Sequence, residues 1–125
     1  MPMVLRFELF PVDIDRSVDF YTSVLGFKVD ADKRDSSHPY ASLRRDGVVI
    51  GLSPRPSSGP QEYRRPPTGV EVVLEVDDLD AEYESVRQAG GEVTEGLRRQ
   101  PWGLTDFRIC DPDGYYLRIT EHQAD

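Results

Sequence analysis

Several charged and aromatic side chains of this sequence fall where strand-like alternation gathers them on shared faces. In "VLRFELFPV", Arg6 and Glu8 lie with Val4 on one side, while Leu5, Phe7 and Leu9 lie on the other. In "GVEVVLEV", Glu71, Val73 and Glu75 alternate with Val70, Val72, Leu74 and Val76. In "GYYLRIT", Tyr116 and Arg118 share a face opposite Leu117 and Ile119. A carboxylate in a dry site can act as a general base, and a guanidinium can stabilise an oxyanion. The same groups can instead pair with each other, because a lone buried charge costs several kcal/mol. A divalent metal asks for His, Asp, Glu or Cys, usually three or more, and arginine has no lone pair to offer it.

Aromatic candidates are Trp102 in "QPWG" and Tyr116, with Tyr40 and Tyr63 less well placed. Aromatic walls with a few polar groups suit flat, apolar ligands. Tyr63, Arg64 and Arg65 are expected to form a lid or a solvated loop. Arg108 joins the polar candidates. His38 precedes a proline in a loop and His122 lies near the C-terminus, so both read as exterior residues. Cys110 sits within "FRICDPDG" and reads as a structural thiol rather than a nucleophile. Asp111 and Asp113 belong to a turn and should hydrogen-bond local backbone. There is no Gly-rich phosphate loop, no G-x-S-x-G and no His paired with Ser or Cys.

Bulk properties narrow the field. A chain of 125 residues is expected to form one domain that buries about two-thirds of its extended-chain surface. A net charge of −8 argues against binding a phosphate backbone and leaves room for cationic ligands. No apolar run approaches the roughly 20 residues that span a bilayer. Arg6 and Glu8 interrupt the first apolar stretch, and no small-residue cleavage site follows, so no signal peptide is expected. A lone cysteine excludes an internal disulfide and a thiolate-rich zinc site, and fits a reducing cytoplasm.

The elements that must position these groups recur. "DIDRSVDFYTSVLGF" reads as a helix, with Val18, Tyr21, Val24 and Leu25 on one stripe, Asp13 or Asp15 as cap and Gly26 as stop. "PYASLRRDGVVIGLS" reads as two strands around Asp46-Gly47. Residues 53–69 are rich in proline, serine and glycine and read as a connector. After it come a strand, the helix "DDLDAEYESVRQAGG", a short strand "EVTEG", and two strands around Asp113-Gly114. The two helix starts are about 65 residues apart and the two Asp-Gly turns about 67, which marks an internal duplication. The expected organisation is a first module over 1–52, the connector over 53–69 and a second module over 70–125.

With "DRSVDFYTSVLGF" in the first copy and "PWGLTDFRICDPDGYYLRI" in the second, the chain resembles the vicinal oxygen chelate superfamily. That group includes glyoxalase I, extradiol dioxygenases, fosfomycin-modifying enzymes and bleomycin-resistance binding proteins. The resemblance implies an α+β fold of two βαβββ modules in tandem. Each forms a half-open barrel, and pairing in a homodimer builds each pocket. It also implies four metal-ligand positions on the concave face, and counting from the helix starts and turns places them at Arg6, Gly51, Glu71 and Arg118. Of these only Glu71 could ligate a metal, so no metal or other cofactor is expected. Arg–Glu pairs across the pseudo-twofold, such as Arg118 with Glu71, are expected to satisfy the charges.

The resulting expectation is a cytoplasmic, metal-free binding protein that sequesters an aromatic or peptide-like natural product, such as an antibiotic. Arg6, Glu8, Gly51, Glu71, Val73, Trp102, Tyr116 and Arg118 would line its site, with no nucleic-acid or membrane partner. The alternative is a lyase, isomerase or oxygenase using Glu71 or Glu75 as base and Arg6 or Arg118 at an oxyanion. A structural or regulatory module with a vestigial cavity is the third reading.

Overall fold

The computed structural model describes residues 2–55, 59–60, 62, 64 and 69–122. Two compact units divide the chain, over residues 1–64 and 65–125. The first contains β1 (Phe7–Leu9), α1 (Ile14–Ser23), β2 (Lys28–Lys33), β3 (Tyr40–Arg45) and β4 (Val48–Leu52). The second contains β5 (Val72–Val76), α2 (Leu79–Gln88), β6 (Val93–Arg99), β7 (Thr105–Cys110) and β8 (Tyr116–Glu121). Each unit is therefore a βαβββ module, and the α+β class read from the sequence holds.

The two sheets share one topology. In the first the order is β1-β4-β3-β2 and in the second β5-β8-β7-β6. The first strand of each unit runs parallel to the last, and the remaining pairs are antiparallel. A parallel pair needs a crossover between its strands, and the helix with two further strands supplies it. Alternation then sorts each sheet into two faces.

The buried faces are apolar. In the first unit Ala41, Leu43, Ile50 and Leu52 join Val18, Tyr21, Leu25 and Phe27, and α1 packs against β2, β3 and β4. Tyr21 sits edge-on to both Phe20 and Phe27, an arrangement that favours aromatic quadrupoles. In the second unit Phe107, Ile109, Leu117 and Ile119 form the matching stripe, with Leu79 and Val86 of α2, and Tyr83 meets Phe107 edge-on.

Both helices begin and end as their sequences suggest. Asp13 caps α1 by accepting from the Arg16 amide at 3.2 Å, and Asp78 caps α2 by accepting from the Ala81 amide at 3.1 Å. Gly90, at φ 80°, takes the left-handed turn that lets the Gly91 amide return to the Val86 carbonyl at 2.9 Å.

The opening strands are shorter than the alternation implied. β1 starts at Phe7, opposite Ile50, so Leu5 and Arg6 precede it and Leu5 is 74% exposed rather than part of the buried stripe. Likewise β5 starts at Val72, leaving Val70 exposed and Glu71 just outside the strand. β2, "KVDADK", carried no alternation to read. It is a charged edge strand with a bulge between Val29 and Ala31, a composition that keeps an open edge from pairing further. β6 runs to Arg99, beyond the "EVTEG" segment, with its own bulges.

One ion-pair cluster ties the end of β2 to the start of α1. Arg34 donates to Asp32 at 2.9 and 2.7 Å and to Asp15 at 3.0 Å. Hydrogen bonds from Arg34 hold the Asp32 carboxyl at a pKa of about 2, below its ordinary 3.8. A folded value below the unfolded one adds stability above pH 3.8 that is lost as pH falls through about 2. A carboxyl carbon titration of Asp32 by NMR should have its midpoint near 2 and return toward 3.8 in Arg34→Ala. An unshifted midpoint in the native protein would refute the pairing.

Candidate functional site

The face of each sheet opposite its apolar stripe carries polar groups, and the two units differ there. In the first unit Glu8 is the register partner of Gly51. A Cβ at Gly51 would stand 2.4 Å from Glu8 Oε2 and 2.5 Å from the Tyr40 hydroxyl oxygen. The Glu8 carboxylate and the Tyr40 phenol thus meet over bare backbone, a close approach that only glycine allows. Tyr40 donates to Glu8 Oε1 at 3.3 Å, and Arg6 Nε lies 2.8 Å from the same oxygen. Burial pushes the Tyr40 phenol pKa up, and the negative charge of Glu8 adds to the effect. Tyr40, a weak candidate from sequence, is therefore part of this cluster with Arg6, Glu8 and Gly51.

In the second unit Arg118 stands beside Val73, its register partner on β5, and opposite Arg108 on β7. Two neighbouring guanidiniums would repel each other without carboxylates between them. Glu71 supplies one, with Oε1 3.1 Å from Arg118 Nη1 and Oε2 3.8 Å from Arg108 Nη2. Glu95 lies 3.9 Å from Arg108 Nε, and Asp106 lies 3.7 Å from Arg118 Nε. Arg108 also donates to the Tyr116 hydroxyl and sits 5.5 Å from its ring centre. Burial opposes the charged form of Arg108, yet Tyr116, Glu71 and Glu95 outweigh it and raise its pKa. The Arg118–Glu71 pair expected across the pseudo-twofold exists, but it forms within the second unit. Parallel pairing of β5 with β8 brings Glu71, just ahead of β5, within reach of Arg118.

Asp106 was missed by sequence reasoning. It is fully buried, and its Oδ1 accepts from Gln100 Nε2 at 2.8 Å. Its Oδ2, like Arg108 Nε and Arg118 Nε, is buried with no hydrogen-bond partner at normal distance. The available signal was alternation in "TDFRIC", which sets Asp106 and Arg108 opposite Phe107 and Ile109. Gln100 also closes the turn that carries Trp102, with its amide on the Leu104 carbonyl at 2.8 Å and its carbonyl receiving the Gly103 amide at 2.9 Å. Trp102 is 56% exposed, so it belongs to the surface rather than the core, and the Arg118 guanidinium lies 5.8 Å from its ring centre. Val73, the register partner of Arg118 on β5, is exposed.

Other candidates fall outside these clusters. His122 pairs with Glu75 at 3.2 Å, and His38 lies on an exposed loop against Ser37. Asp111 does what a turn residue should, accepting from the Asp113 and Tyr115 amides at 2.9 Å. The Cys110 thiol pKa is raised by burial and by Glu92 and Asp111, which disfavours a thiolate nucleophile. Tyr63 and Arg65 of the expected lid lie outside the described residues, while Arg64 donates to the Phe10 carbonyl and, at 3.2 Å, to that of Gly59.

The metal that the resemblance implies finds no matching donors. Arg6, Gly51 and Arg118 cannot ligate, and the Glu71 carboxylate is already held between two arginines. Among the described residues no three of His, Cys, Asp and Glu are grouped to hold an ion. These side chains do not fit a divalent cation.

If Glu8 raises the Tyr40 phenol, then Glu8→Gln should lower its NMR titration midpoint while leaving it above 10.0, because burial persists. Gly51→Ala should displace both side-chain ends at a cost of about 1 kcal/mol in denaturant unfolding, since flexible tips rather than backbone must move. An unaltered Tyr40 midpoint in Glu8→Gln would count against the contact.

Residues 4–119 match the Glyoxalase/Bleomycin resistance protein/Dioxygenase superfamily. A probable lactoylglutathione lyase of Vibrio parahaemolyticus is 27% identical over 118 residues, spanning 89% of this chain and 84% of the relative. The crystal structure of TioX from Micromonospora sp. ML1 superposes with a TM-score of 0.77 at 24% identity, covering 98% of this chain and 100% of that one. TnmS3, an antibiotic binding protein from Streptomyces sp. CB03234, gives 0.77 at 23% identity and covers 98% of both chains. The match over nearly the whole chain, together with the repeated βαβββ topology, makes this protein a member of the glyoxalase/bleomycin resistance protein/dioxygenase superfamily.

Proposed function

We propose that this protein binds an aromatic or peptide-like small molecule, of the antibiotic or natural-product kind, and acts by sequestration without changing a bond. The observation that carries this reading is Trp102, an exposed indole on a turn closed by hydrogen bonds, beside the Arg118–Glu71 ion pair. An exposed aromatic wall next to a few fixed polar groups is the usual make-up of such a site. Val73, Tyr116, Arg118 and Glu71 are the contacts we assign in the second unit, and Arg6, Glu8 and Gly51 those in the first. The structural likeness to an antibiotic binding protein supports binding as the activity.

The rival is an enzyme, favoured by the relative named as a probable lactoylglutathione lyase. It would use Glu71 or Glu75 as general base. Glu71 is held by Arg118 and Arg108, and Glu75 pairs with His122, so both carboxylates are already engaged by neighbouring side chains.

We also propose a cytoplasmic homodimer. Met3, Val4 and Leu5 are 98%, 86% and 74% exposed just ahead of edge strand β1, an apolar run that a second copy would cover. Sedimentation should give twice the 14.2 kDa chain mass, and a monomer at micromolar concentration would overturn this part. For the main reading, a natural product that co-purifies or is captured from a library should be recovered unchanged by mass spectrometry. Trp102→Ala should weaken its binding by about 1–3 kcal/mol. A converted product would transfer the case to the enzyme, and an unchanged affinity would remove Trp102 from the site.

A further inference from the structure

From the charge pattern around Trp102 we infer the chemical class of the group this site takes: a neutral planar edge with a hydrogen-bond acceptor next to a donor, as in a carboxamide or lactam. The inference rests on the binding role proposed above and adds which headgroup binds.

Its basis is that the arginines of this face are already neutralised. Arg118 is engaged by Glu71 at 3.1 Å and faces Asp106 at 3.7 Å, while Arg108 lies within 3.9 Å of both Glu71 and Glu95. Glu95 also lies 3.8 Å from Arg98 Nη1, so three carboxylates are balanced by three guanidiniums. An anionic ligand reaching Arg118 would be brought against Glu71 and Asp106, and like charges at such distances repel strongly away from bulk water. A cationic ligand reaching Glu71 would meet two guanidiniums already bound there. A neutral amide edge faces neither penalty. Its carbonyl can accept from Arg118 while its N–H donates to Glu71, and both side chains keep some exposure to meet it.

Geometry restricts the shape as well. The Arg118 guanidinium lies over the Trp102 ring, 5.8 Å from its centre, so a flat group against the exposed indole is within reach of the Arg118–Glu71 pair. The turn that presents Trp102 is anchored by Gln100, whose side chain donates to the buried Asp106 at 2.8 Å. The indole is therefore presented from a braced turn, and a preset wall loses less conformational freedom on binding.

The chain has one tryptophan, so its indole N–H gives a single cross-peak in a nitrogen–proton NMR spectrum. Three probes with the same ring and different headgroups would be titrated against it: 2-naphthamide, 2-naphthoate and 2-naphthylmethylammonium. The amide should shift the Trp102 peak at a half-saturation at least about tenfold below that of either charged probe. In Glu71→Gln the naphthoate should gain on the amide, because one repelling charge has gone. A naphthoate or ammonium probe binding as tightly as the amide to the native protein overturns the headgroup assignment and leaves Trp102 as a binding wall. No shift with any of the three overturns the assignment and the Trp102 binding role together.

Discussion

The guanidinium of Arg118 is the group on which the second unit's polar face depends. Strand alternation aims it away from the apolar stripe of Leu117 and Ile119, onto a half-buried polar face. A cation there must be compensated, and the surrounding residues meet that demand from three sides. Glu71 forms the close ion pair, Asp106 adds a buried negative charge, and Trp102 offers its ring face. Arg108, its cross-strand partner, needs the same treatment and receives it from Glu71, Glu95 and Tyr116. Glu71 reaches both guanidiniums, so these residues act as one unit.

Two modules of identical strand order have arrived at different surfaces. The last strand of the first unit carries Gly51 where that of the second carries Arg118, and each is the register partner of the first strand's second residue, Glu8 or Val73. Without a side chain at Gly51, Glu8 and Tyr40 close over the backbone. With a long cation at Arg118, the acids must instead come from flanking strands. The backbone topology tolerates both because the apolar stripe, which holds helix to sheet, lies on the opposite face and is untouched by the exchange.

Family membership and chemistry separate at this point. The superfamily includes metal enzymes and binding proteins, and fold alone does not choose between them. At the four positions where the family resemblance implies chelating side chains, this chain carries Arg6, Gly51, Glu71 and Arg118. The charges that remain compensate one another, leaving polarity suited to orienting a bound molecule.

Much of the fold was legible in the sequence because its signals are local. A cap at Asp13 or Asp15, the glycine stops, the Asp-Gly turns and the apolar face of Leu117 and Ile119 each follow from backbone chemistry within a few residues. The repetition of these signals marked the duplication, and residue type alone removed arginine from any ligand set. Strand lengths were less legible: Leu5 and Val70 continue the alternation, but pairing begins two residues later in each case. β2 was silent because a charged edge strand has no buried face to record. The Arg118–Glu71 pair was anticipated, but only the tertiary structure set it within one unit and decided which other charges meet. Asp106 went unremarked in the sequence, and only the folded sheet sets it against Gln100 and Arg118. Glu71 and Arg118 lie far apart in the chain, and the parallel pairing of β5 with β8 makes them partners. Local conformation is set by neighbours along the backbone, whereas an ion pair depends on distance through space, and only the folded sheet fixes that.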